Sequence, residues 1–376
     1  MATENDIAKE IDVDRLQAIS NRILTEESAV LMDWSCHPIG PRANNFVTAG
    51  VFRISGNTRL RNGAVRAWSV IVKVVREDPR RDDPAHYNYW RREILVYDSE
   101  LLRNLPANIV APQCYGIDGQ VDGSVWLWLE DIPHERRTWG WDDYRYAAGK
   151  LGEFHAAYLT GHPLPEAPWL NKQWLRSWIK ECIRYRDVPD PQAMASLLSD
   201  RRSASLIQRF TRLEGSIGAW LQALEQLPRT LSHQDVYEHN TMLDAARQEE
   251  GKLAVIDWQF ASISGIGEDL GRFLGLAVSR GDVPVERFGE YRELFMSSYI
   301  GGMKRSGWGG DETLPRIGCF AAFALRSVWE VPKLLKKLEK QPDSSECKRL
   351  FLVAEHQLDA ASEVERLLMN LEVSRR

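Results

Sequence analysis

The segment that most constrains this chain is residues 231–258, LSHQDVYEHNTMLDAARQEEGKLAVIDW. It sets His233, Asp235 and Asn240 in the spacing H-x-D-x4-N, crosses a polar turn, and climbs an apolar run, Leu253-Ala254-Val255-Ile256, to Asp257. A strand-turn-strand hairpin between Asn240 and Asp257 would bring the two side-chain oxygens to one point. Phosphoryl transfer has a use for each of these groups. It needs a residue that accepts a hydroxyl proton and orients the nucleophile, and it needs oxygen ligands for Mg²⁺ on the phosphates. Asp235 suits the first task. Asn240 and Asp257 suit the second, because Mg²⁺ is a hard cation that prefers oxygen. Taken alone, H-x-D-x4-N is equally what an ordinary turn with polar caps carries. Features elsewhere in the chain decide between the two.

A chain of 376 residues can bury a large core and is expected to form two lobes. Its 44% hydrophobic and 27% charged residues are those of a soluble globular protein, and a net charge of −5 gives no sign of a nucleic-acid binder. Cys36, Cys114, Cys182, Cys319 and Cys347 are odd in number and scattered, without C-x2-C spacing. That pattern argues for reduced thiols and a cytoplasmic location, and against a zinc site. The acidic, polar start does not read as a secretory signal, and no apolar run approaches membrane-spanning length.

Residues 5–24 carry a helical pattern, with Asp12 or Asp14 as a cap. Strand-like runs follow at 29–34, at 51–54 and, most strongly, at 68–75, where β-branched residues face both ways. Lys73 is embedded in that last run. Lysine is almost never buried unless paired, although it also guards exposed sheet edges. A partner would settle which applies. Residues 83–102 predict a helix with Trp90, Ile94, Tyr97 and Leu101 on one stripe, and Glu93 at the margin of that stripe. Glu93 is the carboxylate best placed to reach Lys73, with Glu100 as the alternative. Further helices are predicted over 144–159, 169–185, 192–198 and 203–227. Residues 284–371 are again helical, with a break near 301–310.

Taken together, His233, Asp235, Asn240 and the triplet Ile256-Asp257-Trp258 resemble the catalytic loop and metal-binding strand of the aminoglycoside phosphotransferase and choline kinase-like family, where protein kinases carry Asp-Phe-Gly. The resemblance covers roughly residues 40–275. It implies an α+β fold of two lobes like that of a protein kinase: a small antiparallel-sheet lobe over residues 1–130, and a larger, mostly helical lobe over residues 131–376. It also implies ATP (or GTP) and Mg²⁺ as cofactors, with Asp235 as the base and Asn240 and Asp257 as metal ligands. Lys73 then binds the phosphates and is set by Glu93. Glu130 and Ile132, where the strand over 125–132 meets the second lobe, become the backbone contacts to adenine. Gly40, in the turn at 38–45, stands where the family places a phosphate-covering loop, although this chain has no G-x-G-x-x-G there. Asp269 resembles the family's structural acid, which bonds the catalytic-loop backbone. His155 and His233 read as structural histidines.

The implied partners are a nucleotide and a hydroxyl-bearing acceptor, with neither nucleic acid nor membrane. An aminoglycoside is a polycation, and its pocket should collect carboxylates. Residues 165–228 and 284–376, which would line an acceptor pocket, show no acidic cluster. The aromatic content leaves choline-like, sugar, nucleoside or macrolide acceptors open, as well as a Ser or Thr side chain of a precursor peptide. Trp174 and Trp178, four residues apart, offer either an aromatic wall for the acceptor or plain core packing. A non-catalytic nucleotide-binding module is the other class of reading. The presence of Lys73, Asp235, Asn240 and Asp257 together argues against it.

Overall fold

A computed structural model describes residues 4–39, 46–133 and 137–374. The predicted first helix is two helices, α1 (Glu4–Glu10) and α2 (Val13–Leu24). The break falls where Asp12 leaves helical geometry and its carboxylate accepts the Asp14 amide, as an N-cap does. Both helices lie on one face of a five-stranded antiparallel sheet. Its strands are β1 (Val30–Pro38), β2 (Thr48–Arg59), β3 (Val65–Val75), β5 (Cys114–Gly119) and β6 (Val125–Glu130), in the order β1-β2-β3-β6-β5. The pleat sorts β3 between two apolar layers. Val70, Val72 and Val74 pack toward Leu16 and Ile19 of α2, while Ile71 and Val75 pack with Trp90, Leu127 and Leu129 on the other face.

β3 pairs with β2 on one side and β6 on the other, with Lys73 opposite Val51 and Leu127. Lys73 is therefore interior to the sheet and does not guard an edge.

The helix predicted over residues 83–102 is much shorter: α3 spans only Arg92–Asp98. The residues before it turn their carbonyls onto one guanidinium. Arg92, fully buried, donates to the carbonyls of Tyr87 at 2.7 Å, Pro84 at 2.8 Å, His86 at 2.9 Å and Trp169 at 3.3 Å. Carbonyls held this way cannot close helical rungs, and Asp83 adds a local turn by accepting the Ala85 amide.

The rest of the chain is mostly helical: α4 (Trp141–Leu159), α5 (Trp174–Tyr185), α6 (Pro191–Ser199), α7 (Arg201–Glu225), α9 (Glu268–Arg280), α10 (Phe288–Arg305), α11 (Thr313–Leu325), α12 (Ser327–Lys340) and α13 (Ser345–Ser374). Two small sheets sit against them. β7 (Arg229–Ser232) pairs antiparallel with β10 (Ser262–Gly265). β8 (Thr241–Met242) and β9 (Leu253–Val255) form the hairpin between Asn240 and Asp257, with α8 (Ala245–Glu249) in its turn and β4 (Ile109–Val110) parallel to β9. The chain is thus an α+β protein with an antiparallel sheet in its N-terminal part and helices in its C-terminal part. No helix among the described residues is long and apolar enough to cross a membrane.

α4 carries the loops of the site on its back, and α10 fixes α4 by close approach. A methyl group on Gly152 would lie 2.1 Å from the Tyr299 carbonyl oxygen, and one on Gly302 would lie 2.0 Å from that of Gly149. Backbone atoms cannot yield as a side-chain tip can. We expect Gly152→Ala to cost about 1–3 kcal/mol through overpacking. Denaturant unfolding measures this, and an unchanged midpoint would show that the crossing can widen freely.

Candidate active site

Lys73 forms the centre of an ion cluster drawn from three separate elements. Its Nζ lies 2.6 Å from Glu93 Oε2 on α3 and 2.8 Å from Asp257 Oδ1, just after β9. Glu100 faces outward and pairs with Arg103. Burial alone would lower the lysine's pKa, but the charges of Asp257 and Glu93 outweigh it and hold the ammonium above its ordinary value. Burial pushes the Glu93 carboxyl upward against the pull of Lys73. Asp257 itself adopts a left-handed backbone, φ 63° and ψ 65°. Such a conformation costs a non-glycine residue energy and persists only where the surroundings enforce it. Here it turns the carboxylate out of the β9 direction and toward Lys73.

The loop after β7 is held by a single buried carboxylate. Asp269, in the first turn of α9, accepts the His233 amide on Oδ2 at 2.7 Å and the Gln234 amide on Oδ1 at 2.9 Å. Its Oδ2 also lies 3.6 Å from His155 Nε2 of α4. Burial would raise its pKa, but these hydrogen bonds and the neighbouring imidazoles outweigh that and hold it below the ordinary value. His233 Nε2 donates to the Ile256 carbonyl at 3.0 Å, and its ring meets Trp258 edge-on at 4.8 Å. Burial lowers the imidazole's pKa, so His233 is a neutral strut joining the loop to the strand that carries Asp257. Gln234 is the second residue here with a left-handed backbone, φ 64°.

With its neighbours fixed, Asp235 follows. Asn240 Nδ2 donates to the Asp235 carbonyl at 3.0 Å and to its Oδ2 at 2.9 Å. That leaves the Asn240 amide oxygen turned to other use. Arg272 Nη2 of α9 lies 3.8 Å from Asp235 Oδ1, and its Nε donates to the Gln234 carbonyl. Burial raises the Asp235 carboxyl to about 6, with Arg272 pulling down and Asp257 pushing up.

The chain matches the model of the phosphotransferase enzyme family over residues 73–306. It belongs to that family. The match runs from the buried lysine through the loop, the hairpin and α10. Among solved structures, an amicoumacin kinase in complex with AMP-PNP and Ca²⁺ is 14% identical and superposes with a TM-score of 0.51, over 95% of this chain and 96% of the other. A choline kinase from Cryptosporidium parvum Iowa II is also 14% identical with a TM-score of 0.51, over 94% and 97% of the two chains. At that identity the likeness establishes the kinase-like fold. No curated protein matches the sequence. The protein is a phosphotransferase.

The other residues singled out in the sequence of this phosphotransferase are placed as follows. Glu130 ends β6, and its amide donates to the Gln113 carbonyl at 2.8 Å while its carboxylate accepts from Arg247. Ile132 is buried two residues on, and Asp131 between them binds Arg53 of β2 through two hydrogen bonds, at 2.8 and 2.9 Å. Gly40 lies outside the described residues. Trp174 is not an open wall. It is 1% exposed, and its Nε1 donates to the Tyr87 carbonyl. Its ring stacks on half-buried Trp178 at 6.3 Å. Two residues had escaped notice. Arg272 stands three residues after Asp269, so helical spacing puts both on one face, and this was the available signal. Arg92 left none, because its partners are carbonyls from a stretch that reads as helix.

The loop depends on Asp269 for both of its amides, and an asparagine could accept only one. Asp269→Asn is expected to lose about 1–3 kcal/mol, the cost of a buried donor left without a partner. Thermal or denaturant unfolding tests this, and wild-type stability would mean the loop holds its shape unaided.

Proposed function

We propose that this phosphotransferase moves the γ-phosphoryl group of ATP, or GTP, to a hydroxyl of a small molecule. Residues up to about 130 bind the nucleotide and the remainder supplies catalysis and the acceptor site. The observation that carries this reading is the convergence of Lys73, Glu93 and Asp257 at one point, beside the linked pair Asp235 and Asn240.

The residues present suit Mg²⁺. Asp257 keeps one carboxylate oxygen beyond the one facing Lys73, and Asn240, whose amide nitrogen is engaged by Asp235, keeps its oxygen. Two protein oxygens are what Mg²⁺ commonly takes beside phosphate oxygens and water. When bound, the ion offsets the charge of the phosphates. Lys73 meets the phosphates with an ammonium that stays protonated, and Glu93 fixes the direction in which it points. The carbonyl of Glu130 and the amide of Ile132 face the adenine edge. Asp235 accepts the proton of the acceptor hydroxyl and orients its oxygen, while Asn240 and Arg272 keep the carboxylate from turning away.

Because Asp235 must be ionised to take a proton, activity should be present above its raised pKa and fall away as pH drops through about 6. Asp235→Asn should lose roughly 10²–10⁴-fold in kcat while binding nucleotide normally, and the acid limb should vanish from what remains. Near-normal turnover in this variant would remove Asp235 from the mechanism.

A further inference from the structure

The surfaces around Asp235 are aromatic, yet their faces are already covered by arginine. The Arg272 guanidinium carbon lies 4.3 Å from the centre of the Trp174 ring and 5.2 Å from that of Trp178. Arg280 likewise sits 4.8 Å over Tyr237. Tyr237 stands two residues after the base in the same loop. Sites that take a quaternary ammonium do so with open aromatic faces. Here the protein's own guanidiniums fill both positions.

A third arginine backs the first. Arg326, between α11 and α12, crosses α9 at Gly275, one turn beyond Arg272. A methyl group on Gly275 would lie 2.2 Å from Arg326 Cδ and 2.7 Å from its Nε. Arg326 Nη2 donates to Glu330 Oε1 at 2.7 Å, and Glu330 is held in turn by Ser279 and Gln357. Two guanidinium nitrogens are left over. Arg272 Nη1 and Arg326 Nε are buried and have no hydrogen-bond partner among the described residues. A buried donor without an acceptor is costly, and two cations on one helix face add repulsion. Both costs fall if an oxyanion completes the site. Arg272 offers the geometry for it. Its Nη2 lies 3.8 Å from Asp235 Oδ1, where the acceptor hydroxyl must arrive, and Nη1 shares the same carbon. A guanidinium presents that pair of nitrogens as a fork matched to carboxylate or phosphate.

We infer that the acceptor of this phosphotransferase carries an oxyanion near its hydroxyl, received by Arg272 with Arg326 behind it, and is not a cationic alcohol. The inference rests on the reading of Asp235 as the base. Acceptor-stimulated ATP consumption by the full chain with Mg²⁺ tests it. Glycerate and glycerol 3-phosphate serve as anionic alcohols, and choline and an aminoglycoside as cationic ones. The anionic alcohols should stimulate turnover and the cationic ones should not. The ratio between glycerate and glycerol 3-phosphate tells carboxylate from phosphate. Arg326→Gln should raise the KM of the stimulating alcohol about tenfold, the effect of losing one charged contact of ~1.4 kcal/mol, with the KM for ATP unchanged. Should that variant melt early, Arg326→Lys keeps the charge behind Arg272 while losing the buried Nε–H, and should raise the same KM. Stimulation by the cationic alcohols, no response to the anionic ones in a chain that still binds ATP, or an unchanged acceptor KM in the variants would overturn the inference. Failure to bind ATP at all would instead overturn the underlying assignment of the site.

Discussion

One ammonium group ties the sheet to the helical part of this phosphotransferase. Lys73 leaves an interior strand and meets Glu93 from the adjoining helix and Asp257 from the hairpin region. Removing a charge from water costs on the order of several kcal/mol per ion, so each member of the cluster is tolerable only while the others are in place. The cluster thereby makes the position of the sheet relative to the hairpin a condition of its own stability. In the proposed reaction the same contact is a ready exchange. There, phosphate oxygens would take the place of Asp257 at the ammonium, and the Asp257 carboxylate would be free to hold the metal.

The loops that carry the site solve a common difficulty in two complementary ways. Irregular backbone buried in a core must still satisfy its amides and carbonyls. Arg92 gathers the carbonyls of Pro84, His86, Tyr87 and Trp169, using a group with donors alone. Asp269 gathers the amides of His233 and Gln234, using a group with acceptors alone. The two left-handed residues, Gln234 and Asp257, are adjacent to these anchors or to His233, which bridges the loop to Ile256. Their strain is thus carried by hydrogen bonds from outside the segment that bears it. A fold shared with an amicoumacin kinase and a choline kinase does not transmit an acceptor. That choice belongs to side chains such as Arg272 and Arg326, which the common architecture does not prescribe.

The sequence alone determined a good deal. Polar residues stood out against apolar surroundings, so Lys73, Asp235, Asn240 and Asp257 could be singled out from their strands and spacing as residues that the fold brings together, while Asp269 came with the family resemblance. The α+β class came with the family resemblance, and the strand-like runs up to residue 75 and the helical runs from residue 144 agree with it. Glu93 could be preferred over Glu100 on periodicity, but only the structure shows the first buried against Lys73 and the second in solvent with Arg103.

What tertiary structure decided were contacts between segments far apart in the chain. The interior position of β3 separates a paired lysine from an edge lysine, and strand order cannot be read from one strand. The stretch before α3 carries a helical pattern, yet its carbonyls are claimed by Arg92, a long-range contact that overrides local preference. Trp174 and Trp178 could be an aromatic wall or plain core, because helical spacing sets two rings side by side without showing what lies on them. Arg272 comes from a helix that begins ninety residues later in the chain and covers both faces. Local pattern records the bonds a residue can make with near neighbours. The charge that finally rests on an aromatic face, or beside a catalytic carboxylate, is set by the packing of distant helices.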